Sequence, residues 1–299
     1  MTTADGSPNA VAEPRKLFTV VGATGQQGGA TASALLDAGA RVRATVRDPL
    51  SDRARRLADR GAELVQAGIE DHEALRAAFT GVDGVYAMTT MMGPGGTERE
   101  IELGLALGDA ARDAEVPHLV FSSVGGAERN TGVPHFESKG RIEEHLRKLG
   151  LNTTILRPTL FMDNFAAPGG SPQEEDGVLV LRMPLPGDVP LQLIAVADIG
   201  AIAATALLDP KTTEGRAIEI AGDELTAEQI VATLGAAAGK PGRFEPLPLD
   251  VLGDNADMRA MFAWFGKTPA YEADFAATRE LHPEVRDFAT WASEHFSSK

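Results

Sequence analysis

The length, composition and charge of the chain limit the classes of protein to which it can belong. Its 299 residues, of which 43% are hydrophobic, are enough for one large or two modest domains with a substantial core. The absence of cysteine excludes disulfides, thiolate chemistry and cysteine-ligated metals. The formal net charge of −15 argues against nucleic acid as a partner, because proteins that bind it normally carry a basic stripe.

Neither a membrane-spanning segment nor a secretory signal is predicted. No apolar run approaches the ~18 residues that are needed to cross a bilayer. Residues 1–15 are polar and lack the apolar region of a signal peptide, so we interpret them as a flexible tail. We therefore expect a cytoplasmic protein, a location with which the absence of cysteine agrees.

Apolar strand-like runs alternate with helix-like stretches through the first half of the chain. The predicted strands are 17–21, 42–46, 63–67, 84–88, 118–122 and 152–156, and the predicted helices are 28–39, 51–60, 71–80, 97–114 and 136–149. Short buried strands between longer helices are typical of βαβ units. We therefore predict an α/β fold with a Rossmann-type, doubly wound parallel sheet in residues 16–157.

The alternation of strands and helices breaks after about residue 157, where proline and glycine mark irregular connections. The remaining predicted elements are helices at 196–208 and 225–238, a strand at 217–221 and a helix-like tail at 254–296. We interpret residues 158–299 as a smaller α/β lobe on the substrate side, with some segments returning to the Rossmann domain.

A glycine-rich turn, Gly-Ala-Thr-Gly-Gln-Gln-Gly, occupies residues 22–28. It follows an apolar strand and precedes a helix, which is the context that a dinucleotide-binding turn requires. Gly22 allows the tight turn, Gly25 lets the backbone approach a pyrophosphate, and Gly28 permits close packing of helix on strand. We predict that a dinucleotide binds here, against the alternative of a glycine turn without a ligand.

The end of the second predicted strand indicates which dinucleotide is bound. Arg47 lies about 20 residues after the last glycine, where an acidic residue would accept a hydrogen bond from the ribose 2′-hydroxyl of NAD. A guanidinium at this place can hold a 2′-phosphate instead. Asp48 is the competing acidic residue, and we expect it to cap the following helix. The predicted cofactor is therefore NADP(H).

Further motifs resemble the NmrA-like family of atypical short-chain dehydrogenases. They are Thr-Val-Arg-Asp-Pro at 45–49, His-Phe-Glu-Ser-Lys-Gly at 135–140, Leu-Arg-Pro-Thr-Leu-Phe-Met-Asp-Asn-Phe at 156–165 and Val-Ala-Asp-Ile-Gly at 196–200. The family includes NADP-binding regulators or redox sensors and also reductases. In the family a second basic residue often follows the second strand, whereas this chain has Leu50 and Ser51.

The resemblance implies which residues contact the cofactor. It places the glycine turn and Arg47 on the phosphates, Lys139 on the nicotinamide ribose, and the residues after the sixth strand beside the nicotinamide. The complete expected set is Gly22, Thr24, Gly25, Gln26, Gln27, Gly28, Arg47, Thr89, Lys139, Phe161, Met162 and Asn164.

The catalytic Tyr-x-x-x-Lys pair of standard short-chain dehydrogenases is absent, since neither Tyr86 nor Tyr271 has a lysine four residues later. His135-x-x-x-Lys139 stands in its place, with both residues on one helix face. An imidazole can donate a proton near neutral pH. The alternative for His135 is a hydrogen-bonding residue at a helix start. Ser123 is a further catalytic candidate that would polarise a carbonyl, or else a serine that only caps a turn.

Two functions remain open at this stage. The first is an NADP(H)-dependent oxidoreductase that acts on a small molecule through Lys139, with His135 or Ser123 as the proton source. The second is a non-catalytic NADP(H)-sensing regulator that acts through a protein partner. The remaining histidines have no metal-ligand spacing, so no metal is expected. We expect no nucleic-acid or membrane partner, and we consider a homodimer.

Overall fold

The structure, a computed structural model, describes residues 15–297. The predicted tail at 1–15 lies, apart from Arg15, outside the described residues. The strands are β1 Leu17–Val20, β2 Arg41–Val46, β3 Glu63–Gln66, β4 Gly84–Met88, β5 Leu119–Ser122, β6 Thr153–Pro158, β7 Leu160–Phe161, β8 Gln173–Glu175, β9 Val178–Met183, β10 Pro190–Ile194, β11 Ala217–Ile220, β12 Asp223–Thr226 and β13 Gly242–Pro246.

The α-helices are α1 Gln26–Asp37, α2 Asp52–Asp59, α3 His72–Phe79, α4 Gly96–Asp113, α5 Pro134–Lys148, α6 Val196–Leu208, α7 Ala227–Ala238, α8 Ala256–Phe265, α9 Phe275–Leu281 and α10 Phe288–Phe296. Short 3₁₀ helices cover Met162–Ala166, Pro210–Thr212 and Leu249–Leu252. Within residues 15–297, no helix combines the length and the apolar character needed to cross a membrane.

A seven-stranded sheet with the order β11-β6-β5-β4-β1-β2-β3 forms the centre of the structure, and all of its strand pairs are parallel. Strand β1 shows how both faces are covered. Phe18 and Val20 pack in one core cluster with residues of α1 and α6. Leu17 and Val21 pack in another with residues of α3, α4 and α5. Helices therefore cover both faces, and the predicted doubly wound α/β fold is confirmed.

The second half of the chain contributes to the main sheet and also builds two small sheets. Strand β11 pairs with β6 at the edge of the main sheet. The small sheets have the orders β12-β10-β7 and β13-β9-β8. Most of these short strands were not predicted, because β7 spans two residues and β8 is exposed and polar. They pack with α7, α8 and α10 around a third core cluster, which contains Trp291 and Phe265.

The Val-Ala-Asp-Ile-Gly motif has a structural role. Asp198, in the first turn of α6, has no exposed surface, and its carboxylate accepts the Arg286 backbone N–H at 2.9 Å and pairs with the Arg286 guanidinium. Two residues after Asp198 on the same helix, a Cβ added to Gly200 would lie 2.4 Å from the carbonyl carbon of Ala30 on α1. Helix α6 therefore connects the C-terminal segment to the helix that follows the glycine turn.

Candidate functional site

The glycine turn has the geometry that its sequence predicts. Gly22 has a φ of +66°, a conformation that residues with a side chain rarely adopt. The Gly25 N–H donates to the Gly22 carbonyl at 2.8 Å, which closes the turn. A Cβ on Gly28 would lie 2.4 Å from the Gly22 oxygen. Only glycine fits at Gly28, because the helix passes directly against the turn.

The N-terminus of α1 faces solvent without a cap. Gly25 precedes the helix, no side chain caps it, and its first turn contains no acidic residue. The first backbone N–H groups of a helix have no intrahelical acceptor, and the helix dipole makes this end positive. The side chain of Gln27 does not add to this surface, because its Oε1 accepts from Ser122 Oγ at 2.6 Å and Tyr86 at 3.3 Å. Burial raises the pKa of Tyr86 well above its usual value.

A groove of about 340 Å³ lies between the glycine turn and α2. Its lining includes Thr24, Gly25 and Gln26 of the turn region, Gly29 and Ser33 of α1, and Arg53, Arg56 and Arg60 of α2. Arg53 donates to the Thr24 carbonyl at 3.1 Å, whereas Arg60 pairs with Asp37 at 2.7 Å. Within residues 15–297, Arg53 and Arg56 have no carboxylate partner. The helix end and these two guanidinium groups together give the groove a positive lining, and we call it the basic groove.

The connection from β2 to α2 differs in one detail from the expectation. Ser51, not Asp48, caps α2, with its Oγ accepting the Ala54 N–H at 3.4 Å. Pro49 and Leu50 lengthen the connection, so Asp48 is too early to cap and instead accepts the Leu50 N–H at 2.9 Å. The expectation that Asp48 caps the helix is therefore wrong. Arg47 is exposed at the end of β2.

Lys139 and Thr89, both predicted cofactor contacts, lie together in a buried cluster. The Lys139 Nζ donates to the Thr89 carbonyl at 2.6 Å and to Thr89 Oγ1 at 2.9 Å, and it lies 3.0 Å from Glu100 Oε1. These three acceptors match the three hydrogens of the ammonium. Burial lowers the pKa of Lys139, and the charge of Glu100 opposes this shift. A ribose hydroxyl would therefore have to share or replace one of these acceptors.

Sequence reasoning missed Glu100, although a signal existed. Its carboxylate is 1% exposed and accepts from Ser138 Oγ at 2.5 Å and from Thr89 Oγ1 at 3.1 Å. Glu100 lies four residues before Gly104 and seven before Leu107, both buried on α4. An acidic residue on the apolar face of a predicted helix indicates a buried partner of opposite charge.

Ser123, the candidate for polarising a carbonyl, has its proton committed elsewhere. Its hydroxyl donates to Glu143 Oε1 at 2.6 Å. The buried Glu143 carboxylate also accepts from Arg157 at 3.0 and 2.6 Å and from Arg147 at 2.6 Å. A substrate oxygen would receive the Ser123 proton only if the bond to Glu143 were broken.

His135 lies in the first turn of α5, one helical turn before Lys139. Its Nδ1 lies 2.8 Å from Asp257 Oδ2 and 2.9 Å from Oδ1, and its backbone N–H donates to the same Oδ1 at 2.9 Å. Asp257 belongs to the first turn of α8. No local sequence pattern predicts the contact between His135 and Asp257, because the two residues are 122 positions apart.

The residues after β6 differ in how much surface they offer. Met162 has no exposed surface and packs in the core cluster of the C-terminal half. Phe161 is half-buried at the end of β7, and Asn164 is exposed in the 3₁₀ helix. Of these three predicted contacts, Phe161 and Asn164 are therefore the ones that a ligand can touch. Across residues 15–297, no group of three or more metal-ligating side chains is arranged to hold a metal ion.

Comparisons with known proteins agree on one family. The sequence model of the NmrA-like family matches residues 14–292. The NmrA-like family domain-containing oxidoreductase FrzB of Cladobotryum sp is 34% identical over 87% of this chain and 89% of that protein. The NAD(P)H azoreductase of Xenophilus azovorans is 30% identical over 78% of each chain. The structure of NmrA, a negative transcriptional regulator, in complex with NADP superposes with a TM-score of 0.80 at 23% identity, covering 94% of this chain and 95% of that one.

Proposed function

Because the chain belongs to the NmrA-like family, we propose that it is an NADP(H)-dependent oxidoreductase that reduces a small organic molecule. The observation that supports the proposal best is the basic groove, in which an uncapped helix end faces Arg53 and Arg56. FrzB is named an oxidoreductase, and the relative from Xenophilus azovorans is named an NAD(P)H azoreductase. An unsaturated, electrophilic substrate such as an azo compound or a quinone fits this chemistry.

The residues of the groove fit a phosphorylated dinucleotide. The close contact of Gly28 with Gly22 leaves the turn free of side chains that would keep a pyrophosphate away from the α1 N–H groups. We propose that Arg47 and Arg53 bind the 2′-phosphate. In the family a second basic residue often follows the second strand, where this chain has Leu50 and Ser51. Arg53, in the first turn of α2, would take its place. NADP(H) is therefore the proposed cofactor rather than NAD(H).

When bound, the reduced cofactor supplies a hydride. Lys139 and Glu100 fix Thr89, so the loop that follows β4 is attached to α5. His135 is at the start of the same helix and presents its ring at the protein surface, with 19% of the side chain exposed. We propose that this imidazole holds the proton that the reduced substrate requires. The cytoplasm, which supplies NADPH, is the proposed location.

The proposal is tested by binding and turnover measured on one preparation. We expect calorimetry to show tighter binding of NADPH than of NADH, and NADPH absorbance to fall steadily when azo dyes, quinones or imines are added. Reactions without substrate and with heat-inactivated protein are the controls. Tight NADPH binding without turnover across this panel would overturn the proposed oxidoreductase function and favour a regulator that only binds the cofactor.

The second candidate is an NADP(H)-sensing regulator that acts through a protein partner. Two observations favour it: the Tyr-x-x-x-Lys pair is missing, and all three ammonium hydrogens of Lys139 have acceptors within the protein. The structural neighbour NmrA is described as a negative transcriptional regulator. This candidate predicts cofactor-dependent capture of one protein partner and no oxidation of NADPH.

A further inference from the structure

We propose that Asp257 is a positioning residue that makes His135 the proton donor of the reduction, so that helix α8 completes the active site. The inference rests on the proposed function, since a proton donor is needed only if the chain reduces a substrate. It adds a residue from the C-terminal half to a site whose other members lie between Gly22 and Asn164 in the sequence.

The contact between Asp257 and His135 orients the imidazole ring. Both carboxylate oxygens lie within 2.9 Å of Nδ1, and this side of the ring therefore donates to Asp257. Within residues 15–297, Nε2 is left without a hydrogen-bond partner. The side chain of Asp257 is 16% exposed, so solvent only partly screens its charge. The ring is thus held with Nδ1 on the carboxylate and Nε2 available to a substrate.

The two helices that bring this pair together are firmly connected. Asn255 caps α8, accepting the Met258 N–H at 3.1 Å, which fixes the turn that contains Asp257. Further along α8, the Trp264 ring packs edge-on against Phe136, with 5.2 Å between ring centroids. Phe136 is the residue that follows His135. The position of the carboxylate therefore does not depend on the His135 contact alone.

The charges around His135 leave Asp257 as its ionisable partner. On α5 itself, Glu137 turns back to accept the Gly132 N–H at 3.1 Å. Lys139 is paired with Glu100 of α4 at 3.0 Å. On α8, Asp257 is the acidic residue of the first turn. Asp257 is therefore the acceptor that holds the Nδ1 side of the His135 ring.

In the proposed reduction, a substrate double bond would accept a hydride from NADPH at one atom, and the adjacent oxygen or nitrogen would take the Nε2 proton of the His135 imidazolium. NADPH is oxidised to NADP⁺, the substrate is reduced by two electrons, and His135 becomes neutral while Nδ1–H still donates to Asp257. A proton from water then restores the imidazolium. Asp257 remains a carboxylate throughout.

A purely structural role makes a different prediction. Val133 precedes α5 without a side-chain cap, and Asp257 Oδ1 caps the helix from outside by accepting the His135 backbone N–H. A cap needs one acceptor oxygen and no charge. Asp257→Asn retains an acceptor oxygen and the size of the side chain but removes the charge. This variant therefore separates the two roles.

The kinetic test compares D257N with D109N. Asp109 of α4 forms the matched pair with His145 of α5, with 3.2 Å between its Oδ1 and His145 Nε2, and has no proposed role in the site. We expect D257N to lower kcat at least about tenfold, because positioned acid catalysis contributes about 10²–10⁴-fold. Kd for NADPH should stay within about twofold, so that the loss lies in kcat and not in cofactor binding. We expect D109N to match the wild type in both. Unchanged kcat in D257N would overturn the inference and leave the proposed function standing.

A second measurement needs neither cofactor nor substrate. Nitrogen-15 NMR of labelled histidine reports which ring nitrogen carries the proton. We expect neutral His135 to carry it on Nδ1 in the wild type and in D109N, and to lose this preference in D257N. A proton on Nε2 in the neutral wild-type ring would overturn the inference. Failure of the wild type to oxidise NADPH with any substrate would overturn the proposed function, and the proton-donor role with it.

Discussion

Arg53→Gln tests whether the groove recognises the 2′-phosphate. A hydrogen bond between a guanidinium and a phosphate contributes about 1.5–3 kcal/mol when it is protected from water. Arg53 is exposed and the groove is open, so solvent screening brings the contribution just below this range, to about 1.4 kcal/mol or tenfold in affinity. We therefore expect R53Q to raise Kd for NADPH about tenfold and to leave Kd for NADH unchanged.

The contact of Arg53 with the Thr24 carbonyl provides the competing explanation for any loss of affinity. If the arginine only stabilises the glycine turn, binding of both cofactors must weaken together. Calorimetric titration with NADPH and NADH at two salt concentrations distinguishes the two cases, since a phosphate contact weakens with salt. Arg55→Gln is the matched control, because Arg55 lies on α2 outside the groove lining. An equal loss for NADPH and NADH in R53Q would refute the assignment.

The environments of Gly28, Glu100 and His118 can each be tested by a single substitution. Gly28→Ala should abolish NADPH binding and lower the melting temperature, since its Cβ would lie 2.4 Å from a backbone oxygen; retained binding in a titration would contradict this. Glu100→Gln should lower the free energy of unfolding in urea by about 3–5 kcal/mol, because it leaves the Lys139 ammonium buried without its charged partner. A loss below about 1 kcal/mol would argue against this ion pair. Burial lowers the pKa of His118 from its usual 6.5, so just below pH 6.5 the unfolded chain binds more protons than the folded one. The free energy of unfolding should therefore fall as the pH is lowered through this range. Unfolding measured across pH should show a weaker dependence in His118→Gln.

Local patterns in the sequence were sufficient for the sheet and the cofactor turn. The six strands of the first half, the glycine turn and the helix that contains His135 and Lys139 all depend on neighbours within a few residues. The resemblance to the NmrA-like family, which the motifs indicated, is confirmed by the match over residues 14–292. Hydrophobic periodicity and turn residues are properties of short segments, so they can be recognised in a single sequence.

The polar contacts of the site could not be obtained in this way. Asp257 reaches His135 across 122 residues, and the acceptors of Lys139 lie in the loop after β4 and on α4. The place of Arg53 in the lining of the groove depends on how α2 lies against the turn, and α2 begins after Ser51, which caps it in place of Asp48. Such contacts depend on tertiary packing. Glu100 gave a signal of its buried ion pair in the sequence, because it is an acidic residue on the apolar face of a helix.

Strand β11 determines how the chain can be divided. It comes after α6 in the sequence, yet it pairs with β6 along its whole length, from Ala217 opposite Ile155 to Ile220 opposite Pro158. All six residues of β6 are buried. A fragment that ends near residue 157 would expose this buried strand and its unpaired backbone groups, and we expect it to aggregate. Chimaeras between relatives should therefore exchange loops at the carboxyl edge of the sheet and leave the two halves of the chain together.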